Sequence, residues 1–423
     1  MKDWLQVFRS RKMAALLLLG FSSGLPLYLT SRTLQAWMTQ EKVSLGVIGV
    51  FSLVSLPYSL KFLWSPIIDR YVPPFLGRRR GWMAITQIGL IIAIAAISTI
   101  QNPTQALQFL AINALIIAFL SATQDIAFDA YRTDILSEIE LGAGASIGVL
   151  GYRVALLVTS ALALILADYM PWQVVYLLMA ILMGIGLLTS FWAPEPPAKD
   201  TPPHSIVDAV YLPFQEFFQR LGITESLLIL VFILLYRLGD SLLGNMVTPF
   251  LLQIGFSQTN IGTIQGGMGF LATTVGVLTG GAILTRIGLN KSLWIFGILQ
   301  AVSNLGYYVL ALAGKDDLLL LLAINIENFC GGLVVPTFVA FLMNLCNHRF
   351  SATQFALLSS LMAVSRDIVV APAGALAQIT GWPLFFLLSL VAALPGMLFL
   401  PKLAPWGQEI TPIPHPQKSE EEN

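Results

Sequence analysis

The residues best equipped for chemistry in this chain stand at the end of an apolar run. QALQFLAINALIIAFL is followed directly by SATQDIAFDAYRTD, so three aspartates and an arginine close a stretch long enough to cross a bilayer. A charge at the bilayer centre costs about 3 kcal/mol on insertion scales, and ionisable groups kept there are functional by default. Asp125 and Asp129 are four positions apart and share one helical face. Asp134 lies nine positions from Asp125 and, at about 100° per residue, points to the opposite side. Two carboxyl groups on one buried face resist ionising together, which is the property a proton-carrying site needs. The spacing predicts Asp125, the deeper of the two, as the proton-coupling residue with Asp129 beside it. A static alternative stays open, because Arg153 at similar depth could neutralise either aspartate.

Further polar residues fall at membrane depth. Arg237 and Asp240 are three apart and can pair with each other; alternatively Arg237 or Arg366 binds a carboxylate on a substrate, for which the planar guanidinium fork is suited. Glu327 and Asn328 are expected to line a cavity. Tyr28 follows Pro26 closely and serves either packing or binding, and Lys61 either snorkels or pairs. Asp134 is expected either at a gate, paired with Arg70 or Arg78 of a neighbouring loop, or as a solvated acid at the helix end.

These residues need helices to position them. The chain has 423 residues, 56% hydrophobic and 11% charged, with mean hydropathy +0.77. A soluble protein carries about 25% charged residues, so the composition points to an all-α polytopic membrane protein. Twelve spans are predicted, at 13–38, 46–68, 82–100, 106–131, 145–168, 172–193, 225–252, 259–284, 292–313, 318–346, 353–378 and 382–400. With the N-terminus inside, the cytoplasmic segments hold sixteen of the 23 lysines and arginines, and the external loops hold only Lys42 and Lys315. That asymmetry places both termini in the cytoplasm. The basic N-terminus MKDWLQVFRSRK therefore opens an uncleaved first span.

The chain divides into an N-terminal bundle (1–193), a cytoplasmic linker (194–224), a C-terminal bundle (225–400) and a disordered tail (401–423). The linker opens on PEPPAKDTPPH and continues with Ile206, Val207, Val210, Phe214, Phe217, Phe218 and Leu221 at the spacing of an interfacial amphipathic helix. The halves repeat. SLGVIG at 44–49 matches SQTNIG at 257–262, Arg70 matches Arg286, and Arg153 matches Arg366, at offsets of 213, 216 and 213. SATQ at 121–124 and 351–354 has a different offset and is coincidence. Two parallel six-helix repeats describe the major facilitator architecture. The loop after the second span resembles its signature G-x3-D-R-x-G-R-R-[KR] in Asp69-Arg70 and Gly77-Arg78-Arg79-Arg80, with Tyr71 to Leu76 inserted and Ser65 at the first glycine. The second copy, Gly281 to Lys291, has Thr285 in place of the aspartate.

At family level the runs GFSSGLPLYLTSRTLQAWM, KFLWSPIIDRY, PPFLGRRRGW, ATQDIAFDA, GAGASIGVLGYR and FSATQFALLS resemble those of the AmpG family of muropeptide permeases. The resemblance implies a monomeric inner-membrane carrier, working by alternating access, that imports anhydro-muropeptides with protons for cell-wall recycling. It also implies a cavity lined by spans 1, 4, 7 and 10. Substrate contacts are then expected from Tyr28, Gln124, Arg153, Arg237, Asp240, Glu327, Asn328 and Arg366, and gating from Asp69, Arg70, Arg78 and Asp134. A carrier for another anionic metabolite or a drug exporter is the alternative.

Other classes find little support. The loops hold no Ser-His-Asp set or metal-ligand cluster, the three histidines (His204, His348, His415) lie in loops or tail, and no G-x4-G-K-[ST] occurs. No enzyme activity, cofactor, metal or nucleic-acid partner is expected. Cys330 and Cys346, sixteen positions apart on one predicted helix, are roughly 24 Å apart and cannot bridge.

Overall fold

The computed structural model describes residues 10–43, 47, 51–196, 202–203, 205–365 and 372–407. Among them the chain is helical, with no strand. Two compact units emerge, one of residues 1–211 with 348–360, the other of 212–347 with 361–423.

In the first unit, α1 (Arg11–Leu29) starts at Ser10, whose hydroxyl accepts the Met13 N–H at 3.3 Å and caps the helix. It leads into α2 (Arg32–Gln40). The next span is built from short pieces: a 3-10 segment (Phe51–Ser55), α3 (Leu56–Leu60), a 3-10 turn (Lys61–Leu63) and α4 (Ser65–Arg70). Pro57 and Pro66 sit in the first turns of α3 and α4, where the missing N–H is tolerated but continuation of the preceding helix is not. Longer helices follow: α5 (Arg78–Ile97), α6 (Leu107–Ile135) and α7 (Leu141–Leu157). After a π turn (Val158–Leu162) come α8 (Ala163–Tyr169) and α9 (Trp172–Trp192).

Backbone-to-backbone packing of α1 on α7 fixes this unit. A side chain at Gly151 would fall on the Leu17 carbonyl, and one at Gly20 on the Gly148 carbonyl. Trp37 and Trp172 stack with centroids 5.9 Å apart, Tyr176 tilts against both, and its hydroxyl donates to the Leu29 carbonyl at 3.0 Å.

The linker helix α10 (Ile206–Leu221) buries Ala209, Pro213 and Phe217, while Ile206, Val207, Val210, Tyr211 and Phe214 are exposed. In the second unit α11 (Ile223–Leu235), α12 (Leu238–Gln253) and α13 (Gln258–Ile261) lead through a π turn into α14 (Gly269–Ile287). Then come α15 (Leu289–Ser303), α16 (Leu305–Ala313) and α17 (Asp317–Leu345), capped by Asp316, which accepts the Leu319 N–H at 2.9 Å. α18 (Ser351–Val364), α19 (Ala373–Thr380), α20 (Trp382–Met397) and α21 (Leu400–Leu403) complete the chain. Phe250, Tyr307, Phe385 and Phe386 lie in the core of this unit.

Ten helices among the described residues are long and apolar enough to cross a membrane. The expected second span (46–68) is the proline-interrupted series above, of which Leu53–Leu63 forms a shorter apolar helix. The eleventh (353–378) is helical as α18 and α19 on either side of residues outside those described. The twelve-span pattern is consistent with this arrangement.

Candidate functional site

The two aspartates on one face of α6 meet different environments. The Asp125 carboxylate accepts a hydrogen bond from the Ser23 hydroxyl of α1 and has no ion-pair partner among the described residues. One turn on, Asp129 has both oxygens engaged by cations. Its Oδ2 lies 3.3 Å from Lys61 Nζ, and its Oδ1 lies 2.7 Å from Arg132 Nη2 on the same helix. Two cations thus contact Asp129 directly, while Asp125, one turn away among the same charged groups, is held by a hydroxyl.

Deeper in the packing, Gln124 is buried and donates to Ser22 Oγ at 3.0 Å, beside Gln87 of α5 and Ser190 of α9. Tyr28 is half-buried, with the Arg32 guanidinium 4.8 Å from its ring centroid. Arg153 stands on α7, half-buried, next to Tyr152.

At the basic end of the helices a second cluster forms around Arg79. Its Nε lies 2.7 Å from Asp134 and its Nη2 lies 2.9 Å from Asp69, with Ser351 Oγ at 2.7 Å. Asp69 is fully buried and accepts from the Thr353 N–H and hydroxyl, each at 2.8 Å. The carboxylate thereby caps the N-terminus of α18, where the helix dipole favours an anion. His348 Nδ1 is 3.4 Å from the other Asp134 oxygen, and the Arg78 guanidinium donates to the carbonyls of His348 and Arg349 at 3.3 and 3.5 Å. Arg70 lies over the Tyr71 ring at 5.4 Å.

In the second unit Arg237 Nε stands 3.6 Å from Asp240 on α12. Glu327 accepts from Asn328 at 3.1 Å and from Gln300 of α15 at 3.5 Å, and Thr273 of α14 donates to Asn328 at 3.0 Å. Arg366 lies outside the described residues. Among the described residues no cluster of three His, Cys, Asp or Glu side chains could hold a metal ion.

Comparison with known proteins now decides the family. The Major Facilitator Superfamily family model matches residues 16–366. The anhydromuropeptide permease of Escherichia coli (strain K12) is 49% identical over 400 residues, covering 94% of this chain and 81% of that protein. The chain belongs to the AmpG-type muropeptide permease family of the major facilitator superfamily. An AmpG-like protein of Rickettsia felis is 33% identical over 405 residues, covering 93% of this chain and 97% of its own length. The proton:xylose symporter XylE, bound to 6-bromo-6-deoxy-D-glucose, aligns with TM-score 0.70 at 12% identity over 95% of this chain and 96% of its own, a likeness of fold. This AmpG-type chain is therefore an all-α, multi-pass membrane transporter of the major facilitator fold and not an enzyme.

The permease brings some expected residues together and separates others. Asp125 and Asp129 share a neighbourhood and Asp134 stands apart, as helical geometry predicts. The partner of Asp134 is Arg79 rather than Arg70 or Arg78, because Leu76 and Gly77 turn the chain through left-handed backbone (φ 61° and 74°) and bring Arg79 inward on α5. The partners of Asp129 are Lys61 and Arg132 rather than Arg153. Ser23, Arg79, Arg132, Thr353 and Gln300 join these clusters without having been among the expected site residues. Only Arg132 carried a readable signal, its i+3 spacing from Asp129.

Proposed function

We propose that this transporter imports anhydro-muropeptides across the inner membrane by alternating access, driven by protons that load Asp125 beside Asp129. Both termini are cytoplasmic in this reading. The protein works as a monomer of two six-helix bundles joined by the 194–224 linker, without nucleic acid. The observation that carries the coupling is the contrast between Asp125, with a hydroxyl as its donor, and Asp129, with two cations. The substrate class rests on the identity to the E. coli anhydromuropeptide permease. Tyr28, Gln124, Arg153, Arg237, Asp240, Glu327, Asn328 and Arg366 are the residues proposed to contact substrate. Asp69, Arg70, Arg78 and Asp134 are proposed to serve the gate, Asp134 through Arg79.

Uptake of labelled anhydro-muropeptide into proteoliposomes, with and without an imposed pH gradient and in competition with unrelated sugars and peptides, tests this. Gradient-dependent accumulation blocked only by unlabelled muropeptide is expected. Accumulation of unrelated solutes, or gradient-driven movement outward only, contradicts it.

A further inference from the structure

The cluster around Asp129 contains one more cation than it needs. Lys61 and Arg132 supply two positive charges to a single carboxylate, and Asp125, one turn away, contributes the fourth ionisable group. The groups facing Asp125 are Ser23 of α1, Tyr58 and Lys61 of the interrupted second span, Tyr152 of α7, and Asp129 and Arg132 of its own helix. The phenols, with ordinary values near 10, carry no charge at neutral pH. The balance therefore depends on Asp125 alone: ionised, the set is neutral; protonated, it carries a net positive charge. An uncompensated buried charge is strongly unfavourable, so protonation creates a demand for an anion.

The two cations are held differently. Arg132 is wedged between the rings of Phe128 and Phe355, each centroid 5.4 Å away, and its buried Nε has no hydrogen-bond partner. Lys61 sits on the short 3-10 turn between α3 and α4, and its 3.3 Å contact with Asp129 is the longer of the pair. Irregular backbone at membrane depth is tolerated where it serves a polar site. Asp129 keeps Arg132 if Lys61 turns away.

We propose that Lys61, backed by Arg132, forms a subsite for a carboxylate of the transported substrate, opened by the proton on Asp125. Proton and carboxylate then enter together, and the site is neutral both empty and fully loaded. The proposal rests on the proton-loading role of Asp125, deepening that reading by naming the group the proton admits.

The probes are an anhydro-muropeptide with free peptide-stem carboxylates and the same molecule amidated, with binding measured on the purified protein at pH 6 and pH 8. In the wild type the free acid binds at least tenfold tighter at pH 6 than at pH 8, after correction for ligand ionisation. Lys61→Gln binds the free acid and the amide alike, while Lys61→Arg restores the preference; retained amide binding in Lys61→Gln shows that the variant is folded. Asp125→Asn binds the free acid equally at both pH values. A Lys61→Gln variant that still prefers the acid as the wild type does overturns the subsite. The same holds for an Asp125→Asn variant whose acid affinity still falls with pH. Neither result touches proton coupling, which fails separately if Asp125→Asn still accumulates substrate on a pH gradient.

Discussion

Arg79 Nε lies 2.7 Å from the Asp134 carboxylate, and both side chains are nearly buried at the basic end of the first unit. The same guanidinium reaches Asp69 at 2.9 Å, so one cation holds two carboxylates from different elements. Breaking a buried pair by removing one partner leaves uncompensated charge and costs about 3–5 kcal/mol. Arg79→Leu is expected to lower the thermal midpoint of the purified protein sharply and to abolish uptake. Arg70→Leu, which removes a guanidinium lying over Tyr71, should leave the midpoint close to wild type. Equal midpoints for the two variants would sink the assignment.

Asp69 holds the start of α18 through two 2.8 Å hydrogen bonds from Thr353. Hydrogen bonds to a charged group contribute about 1.5–3 kcal/mol. Asp69→Asn should therefore increase proteolytic cleavage around residues 348–353 while leaving sites in the linker unchanged. An unaltered digestion pattern would argue against the cap.

The close packing of α1 on α7 makes Gly151 intolerant of any side chain, because a Cβ there meets the Leu17 backbone. Gly151→Leu should yield aggregated protein on size-exclusion chromatography. Gly184→Leu, at a position with nothing within 4 Å, should elute as wild type.

Outside the spans, Lys12 pairs with Glu140 at 2.9 Å. Burial alone would raise the Glu140 carboxyl, but hydrogen bonds from Ser137 and Lys12 outweigh it and hold the group below the ordinary glutamate range. A depressed folded value means the stabilisation is complete above the ordinary value of 4.5 and is lost as pH falls through the lowered one. The thermal midpoint of Glu140→Gln should therefore approach that of wild type as pH drops below 4.5, and fall short of it at pH 7. A constant gap across that range would contradict the pairing.

The division of SATQDIAFDAYRTD into a facing pair and an outlying acid was legible because helical periodicity fixes which side each residue takes. The fold was legible from span counting and the repeat. The identity of the cation that Asp134 pairs with was not: with Tyr71 to Leu76 inserted in the signature, the backbone at Leu76 and Gly77 decides which of three consecutive arginines turns inward. Arg132 escapes notice when it is counted with the loop charges just past a span that ends at 131, although α6 runs on to Ile135. Ser23 and Gln300 meet their acidic partners only through packing between helices, which no spacing within one helix encodes.

If Asp125 carries the coupling proton, the decisive readout is accumulation of labelled anhydro-muropeptide by Asp125→Asn proteoliposomes. With a pH gradient imposed, the variant should accumulate no more substrate than it does without one, while still exchanging labelled for unlabelled substrate. Gradient-driven accumulation at the wild-type level in Asp125→Asn would rule that role out.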